Sequence, residues 1–259
     1  MIEASLRNTA AGVIAMRRMN EKSEELYARW TRIRYAPWKG NSILAQADAE
    51  CEVRPQVESC FSVSLESMMD ACRMINELAT INSHYAVIRT AVESSATGVW
   101  LSTSGKKRKM VFYSIKLSYR DNENMLSLAE ESPERNSSLI DNRRRKRERL
   151  EEQEQQLEGY ETKNIKTFPQ YTQILKAADE RIQKRATYTA VRAWRICSGL
   201  AHGSRDNVIG LAEAIPTGRG DARTEEVQIR QNTLLSAACL NVAVENCERI
   251  LAEYEKATA

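Results

Sequence analysis

Ten glycines and five prolines are spread over 259 residues, so tight turns are few and the long stretches between them must run as continuous rods. Apolar side chains recur along those stretches at the helical period. The reading is an all-α fold, an antiparallel helical bundle, with no strong alternating strand pattern and no internal repeat. Charged residues make up 28% and hydrophobic ones 42%, with both signs interspersed, which is the composition of a folded chain. The net charge of +3 is too small to imply a polyanionic partner by itself, so any nucleic-acid argument rests on where the charges lie.

Residues 3–33 carry Leu6, Ala10, Val13, Leu26, Trp30 and Ile33 at helical spacing and predict an amphipathic accessory helix. Pro37, Gly40, Asn41 and Pro55 interrupt the period, so 1–55 is read as a helix and linker and 56–259 as the bundle domain. Within the domain, helices are expected over 56–81 and 83–103, divided by Asn82 and Ser83, and over 110–130 after a basic turn. Ser132, Pro133 and Glu134 read as a cap and first turn. They open a long charged helix over 134–160 with i,i+4 pairs such as Arg144 with Glu148. Its basic block, with Arg143, Arg144, Arg145 and Arg147, is either a solvated face or an RNA-facing ridge. A short helix over 169–184 precedes the segment 186–202. Gly203 ends that segment, 203–223 is expected as a long loop, and Thr224, Glu225 and Glu226 suit the start of a last helix reaching Tyr254.

The six cysteines form no C-x-x-C pair and lie among apolar helix positions, as reduced thiols do. With His84 and His202 the only histidines, neither near a cysteine cluster, no metal site and no cofactor is expected. His84, at a helix start, reads as a surface or capping residue. The apolar run at the N-terminus is too short and interrupted for a signal peptide, and no stretch of 18 apolar residues occurs. A cytoplasmic protein without membrane contact is expected. There is no Gly-rich phosphate loop or nucleophile motif to suggest a small-molecule enzyme.

In ATYTAVRAWRICSGLAHGSRDN, the residues Tyr188, Arg192, Arg195, Gly199 and His202 follow spacings of three or four and would share one helix face. Val191, Trp194, Cys197 and Ala201 would face elsewhere. Arg followed by four to six residues and then His, near a helix end in a bundle, resembles the motif of the HEPN superfamily of ribonucleases. Arg195-Ile-Cys-Ser-Gly-Leu-Ala-His202 fits the longest of these spacings, and Arg89-Thr-Ala-Val-Glu93 on an earlier helix extends the likeness over roughly 56–255. Ile196 stands where family members often carry a polar residue.

The resemblance implies metal-independent RNA cleavage by a homodimer, with the 2′-hydroxyl attacking the adjacent phosphate at a composite cleft. It assigns proton transfer to His202 and a fixed positive charge to Arg195, with Arg89, Glu93, Ser198, Arg192 and Tyr188 in support. It also implies a toxin or phage-defence setting with an antitoxin or defence-system partner protein. At a helix C-terminus, His202 is favoured in its protonated form and is expected as an acid. Seven residues span about 10 Å of helix axis, which is why a second copy is needed to bring the two groups around one phosphate. Gly199 is read as the place where the partner's backbone comes close. For the Arg195/His202 and Arg89/Glu93 pairs, the structural reading as helix cap and salt bridge stands beside the functional one. A non-catalytic module binding RNA, a nucleotide or a protein is the other class left open.

Overall fold

The computed structural model describes residues 2–78, 80–160, 163–221 and 224–259, and their side chains except at 2–9, 213–214, 216, 220–221 and 224–225. Among the described residues the chain is all-α, with ten helices and one hairpin. It divides into two compact units. The first comprises 1–36, 59–100 and 171–252, and the second 37–58, 101–170 and 253–259. None of the helices is long and apolar enough to cross a membrane among the described residues.

In the first unit, α1 (Ile2–Ile33) packs through Gly12, Met16, Met19, Ser23, Leu26 and Trp30, a stripe repeating every three or four residues. Ala10 and Val13 were expected on the apolar face but lie off this stripe and are exposed, and Leu6 lies outside the described side chains. The helix is not a free arm, since Trp30 stacks on Phe61 at 4.7 Å between ring centroids. Phe61 belongs to α3 (Val53–Asn76), which is followed by α4 (Ser83–Ser102). The Ser64 hydroxyl donates to the Ala91 carbonyl, and a Cβ on Gly98 would meet Cys60, so α3 and α4 run antiparallel as their short connection requires.

The last helix, α10 (Thr233–Thr258), meets α4 at His84 with Ser236, Ser95 with Asn246, and Gly98 with Ile250, so the two run in the same direction here. Gly12 sets the approach of α1 to α10. A Cβ there would lie 2.9 Å from Thr233 Cβ and 3.0 Å from the Leu234 nitrogen, where backbone cannot yield. Gly12→Ala is therefore expected to cost about 1–3 kcal/mol, the usual toll of overpacking. A lower thermal midpoint with early hydrogen exchange along α1 is the expected readout, and an unchanged midpoint would contradict this packing.

His84 is fully buried, contrary to the surface role expected for it. Its burial is possible because both ring nitrogens find hydroxyl partners, Thr80 Oγ1 at 3.2 Å and Ser236 Oγ at 2.9 Å. Tyr85 covers the ring at 4.1 Å.

In the second unit, α2 (Ile43–Asp48) forms inside the expected linker, capped by Ser42, whose side chain accepts from the Ala45 amide. The helices α5 (Lys107–Glu130) and α6 (Pro133–Gln155) pack through Leu126, Ala129 and Ile140, with Pro133 in the first turn of α6. Arg144 pairs with Glu130 of α5 at 3.0 Å rather than along its own helix as expected.

Residues 203–230 differ most from expectation. Instead of a loop followed by the last helix, they form α9 (Arg205–Leu211) and an antiparallel hairpin of β1 (Glu213–Asp221) and β2 (Thr224–Arg230). Val227 and Ile229 are half-buried between exposed Glu226, Gln228 and Arg230, a strand alternation too short to register beside the glycines of β1. The side chains of Thr224 and Glu225 lie outside the described residues. The cap of α10 is Asn232, whose side-chain oxygen accepts from the Leu235 amide at 3.0 Å.

Candidate functional site

The site lies in the first unit, where α8 (Ala190–Ala201) approaches α4. Ala190, Ala193, Cys197 and Leu200 form the buried stripe of α8 and hold it against the core. Its start is fixed twice. Thr189 accepts from the Arg192 amide at 3.2 Å, and Asp179 of α7 (Tyr171–Arg181) accepts from the amides of Ala190 and Val191 at 2.7 and 3.3 Å. Asp179 is held in turn by Arg185 at 2.6 Å, and Arg185 also reaches Glu245 and Asn246 of α10 at 3.2 and 2.8 Å. The end of α8 is set by Gly203, whose φ of +65° lets the chain turn away after His202.

His202 is exposed at this C-cap, and its backbone amide donates to the Ser198 carbonyl at 3.1 Å. Its side chain meets α4, where Arg89 Nη1 lies 3.0 Å from His202 Nε2. A guanidinium only donates, so His202 Nε2 accepts and the ring proton resides on Nδ1. In this arrangement Nε2 of the imidazole is a hydrogen-bond acceptor. Arg89 Nε donates to Glu93 Oε1 at 2.9 Å, and the same oxygen accepts from the indole nitrogen of Trp194. The guanidinium carbon of Arg89 is 5.3 Å from the centroid of the Trp194 ring. Glu93 thus orients a cation and an indole with one oxygen, and the cation meets the histidine.

This arrangement brings together Arg89, Glu93 and His202 and adds Trp194, which the sequence reading placed away from the polar face. The signal for Trp194 was available in kind, because a half-buried indole N–H requires an acceptor. Arg195 is exposed, and among the described residues it has no hydrogen-bond or ion-pair partner. The cation in contact with His202 is therefore Arg89. Tyr188 precedes the cap and lies outside α8, so it does not share the helix face expected of it. It meets Arg192 instead, with the guanidinium 4.5 Å from its ring centroid. The space left by Gly199 is filled from within the chain, since a Cβ there would lie 2.4 Å from the side-chain nitrogen of Asn207 in α9. Expected as the landing place of a second backbone, Gly199 is covered by that asparagine.

The basic block of α6 belongs to the second unit and is partly neutralised. Arg144 is tied to Glu130, Arg147 lies 3.9 Å from Glu123, and Arg145 donates to Asn142 and to the Asp141 carbonyl. The Arg143 carbonyl accepts from Asn122 of α5 at 2.9 Å. Among the described residues no group of three or more His, Cys, Asp or Glu is placed to hold a metal ion.

No protein-family model, curated protein or solved structure matches the chain.

Proposed function

We propose that the chain is a metal-independent endoribonuclease of HEPN type, acting in the cytoplasm as a homodimer whose composite cleft contains His202, Arg89 and Arg195. A toxin or phage-defence role, restrained by an antitoxin or a defence-system partner, completes the reading. The observation that carries it is the contact of Arg89 with His202 Nε2, backed by Glu93, at the exposed end of α8. A neutral imidazole beside a fixed cation is what attack by a 2′-hydroxyl needs.

In the reaction the 2′-oxygen bonds to phosphorus and its proton passes to His202 Nε2. The bond from phosphorus to the 5′-oxygen breaks, leaving a 2′,3′-cyclic phosphate and a 5′-hydroxyl. Arg89 turns from the imidazole to the phosphate oxygens as the substrate arrives, which frees the nitrogen that takes the proton. Arg195, exposed and without a partner among the described residues, supplies a second cation, and the second protomer's imidazole supplies the proton for the leaving oxygen.

Purified protein incubated with RNA in EDTA is expected to generate cyclic-phosphate ends, and His202→Ala to lower the rate by about a hundredfold. RNA carrying a 2′-deoxy sugar at the cut position should resist. Equal cleavage by both proteins, or none by either, refutes the catalytic reading. A non-catalytic module binding RNA or a protein would then remain, and Ile196 and the cover of Asn207 over Gly199 are the features that favour it.

A further inference from the structure

The second unit carries a basic and aromatic face apart from the charged block of α6. Lys109, Tyr113, Lys116 and Arg120 succeed one another at spacings of four, three and four and form one stripe of α5, about 17 Å long. The segment after α6 runs beside this stripe in the same direction. The Tyr160 ring lies 4.7 Å from that of Phe112, the Lys116 ammonium donates to the Thr167 carbonyl at 2.7 Å, and the Arg120 guanidinium is 3.9 Å from the Phe168 centroid. Lys109 lies over Tyr113 at 5.5 Å, and Lys116 over Phe112 at 5.0 Å. Tyr113, Tyr160 and Phe168 are all partly exposed. Cations and ring planes therefore alternate along the face.

Among the described residues the carboxylates of this neighbourhood are already engaged. Glu158 pairs with Arg108 at 2.6 Å, Glu151 with Lys166 at 2.8 Å, and Asp121 with Arg120 at 3.5 Å, while Glu154 accepts from the Ile165 amide at 2.7 Å. Among the described residues Lys109, Lys116 and Lys163 have no ion-pair partner. Burial pushes the Lys116 ammonium below its ordinary pKa, with Glu154 opposing and Lys163 adding to the effect. An approaching anion would relieve the repulsion between the two lysines.

We infer that this face, with Lys109, Lys116 and Lys163 for the phosphates and Tyr113 and Tyr160 for the bases, binds a single strand of nucleic acid. The face complements such a strand in two ways. Three ammonium groups without an ion-pair partner among the described residues match a line of phosphates, and the rings between them match base planes, which only an unpaired strand exposes. An acidic peptide would satisfy the cations but leave the rings unused, and a duplex keeps its base faces stacked inside. The inference does not rest on the cleavage reading, because it concerns other residues and needs no reaction.

The test uses the full chain and a labelled 2′-O-methyl single strand of about 12 nucleotides, within the usual span of such sites, followed by fluorescence anisotropy. Lacking the attacking hydroxyl, this probe reports binding whether or not the chain cuts RNA, so the two readings fail separately. Tyr113→Leu and Tyr160→Leu are each expected to weaken binding about tenfold, whereas binding of a duplex of equal length changes by less than about twofold. Tyr113→Phe should bind as the parent does, which separates stacking from loss of the hydroxyl. Changing Lys109, Lys116 and Lys163 to Gln together should flatten the slope of log affinity against log salt by about 2. Circular dichroism of the parent type shows that a variant is folded. Parent-like binding by the leucine and glutamine variants, equal losses on the duplex, or displacement by polyglutamate as effective as by the strand itself would overturn the inference.

Discussion

Arg185→Met is expected to lower the free energy of unfolding by about 3–5 kcal/mol, the cost of leaving a buried charge cluster without its cation. The Arg185 side chain is 6% exposed, and those of its partners Asp179 and Glu245 are 18% and 13% exposed. The guanidinium joins α7, the segment before α8 and α10 through three acceptors, and among the described residues no other cation pairs with Asp179 or Glu245. Both carboxylates retain backbone donors when it is gone, Ala190 and Val191 for Asp179 and Ala186 for Glu245. That retention places the loss toward the lower end of the range. Urea titration at pH 7 measures it, and Glu245→Gln added to Arg185→Met should recover part of the loss by removing one stranded charge. A loss below about 1 kcal/mol would show that the cluster is not desolvated as described.

The second large effect is on pH. Burial lowers the His84 pKa from 6.5 to about 4, partly opposed by its hydrogen bond at Thr80. The unfolded chain takes up a proton near pH 6.5, while the folded chain refuses it until about pH 4. Across that window the unfolded state binds more protons, so stability is complete above pH 6.5 and falls as the pH drops. Linkage sets the total at about 3 kcal/mol. His84→Gln keeps a donor and an acceptor but cannot titrate, so the difference in unfolding free energy between parent and variant should shift by about that amount between pH 7 and pH 4. A constant difference would mean that the imidazole is not held neutral by its surroundings.

The helices were legible because their evidence is local. α4 and α5 declare themselves through their apolar period, and the end of α8 through Gly203. The hairpin was not legible, since β1 and β2 pair only with each other and Val227 and Ile229 are too few to establish an alternation. Thr224 to Glu226 mimics a helix start, whereas the true cap, Asn232, is recognised by what its side chain does at both ends: it accepts from Leu235 and donates to the Leu211 carbonyl.

The candidate site divides the same way. Arg89 with Glu93 is an i,i+4 pair visible in the sequence, and His202 is singled out as one of two histidines. The contact between Arg89 and His202 joins positions 113 apart and follows from how α8 packs on α4, which no spacing rule contains. His84 was misplaced for a similar reason, because the hydroxyl that satisfies its Nε2 is 152 residues away.

Glu93 offers one oxygen to two donors, Arg89 and Trp194. Substitution at 93 releases both at once, so damage from changing the three residues cannot be additive: once the carboxylate is lost, losing either donor costs little more.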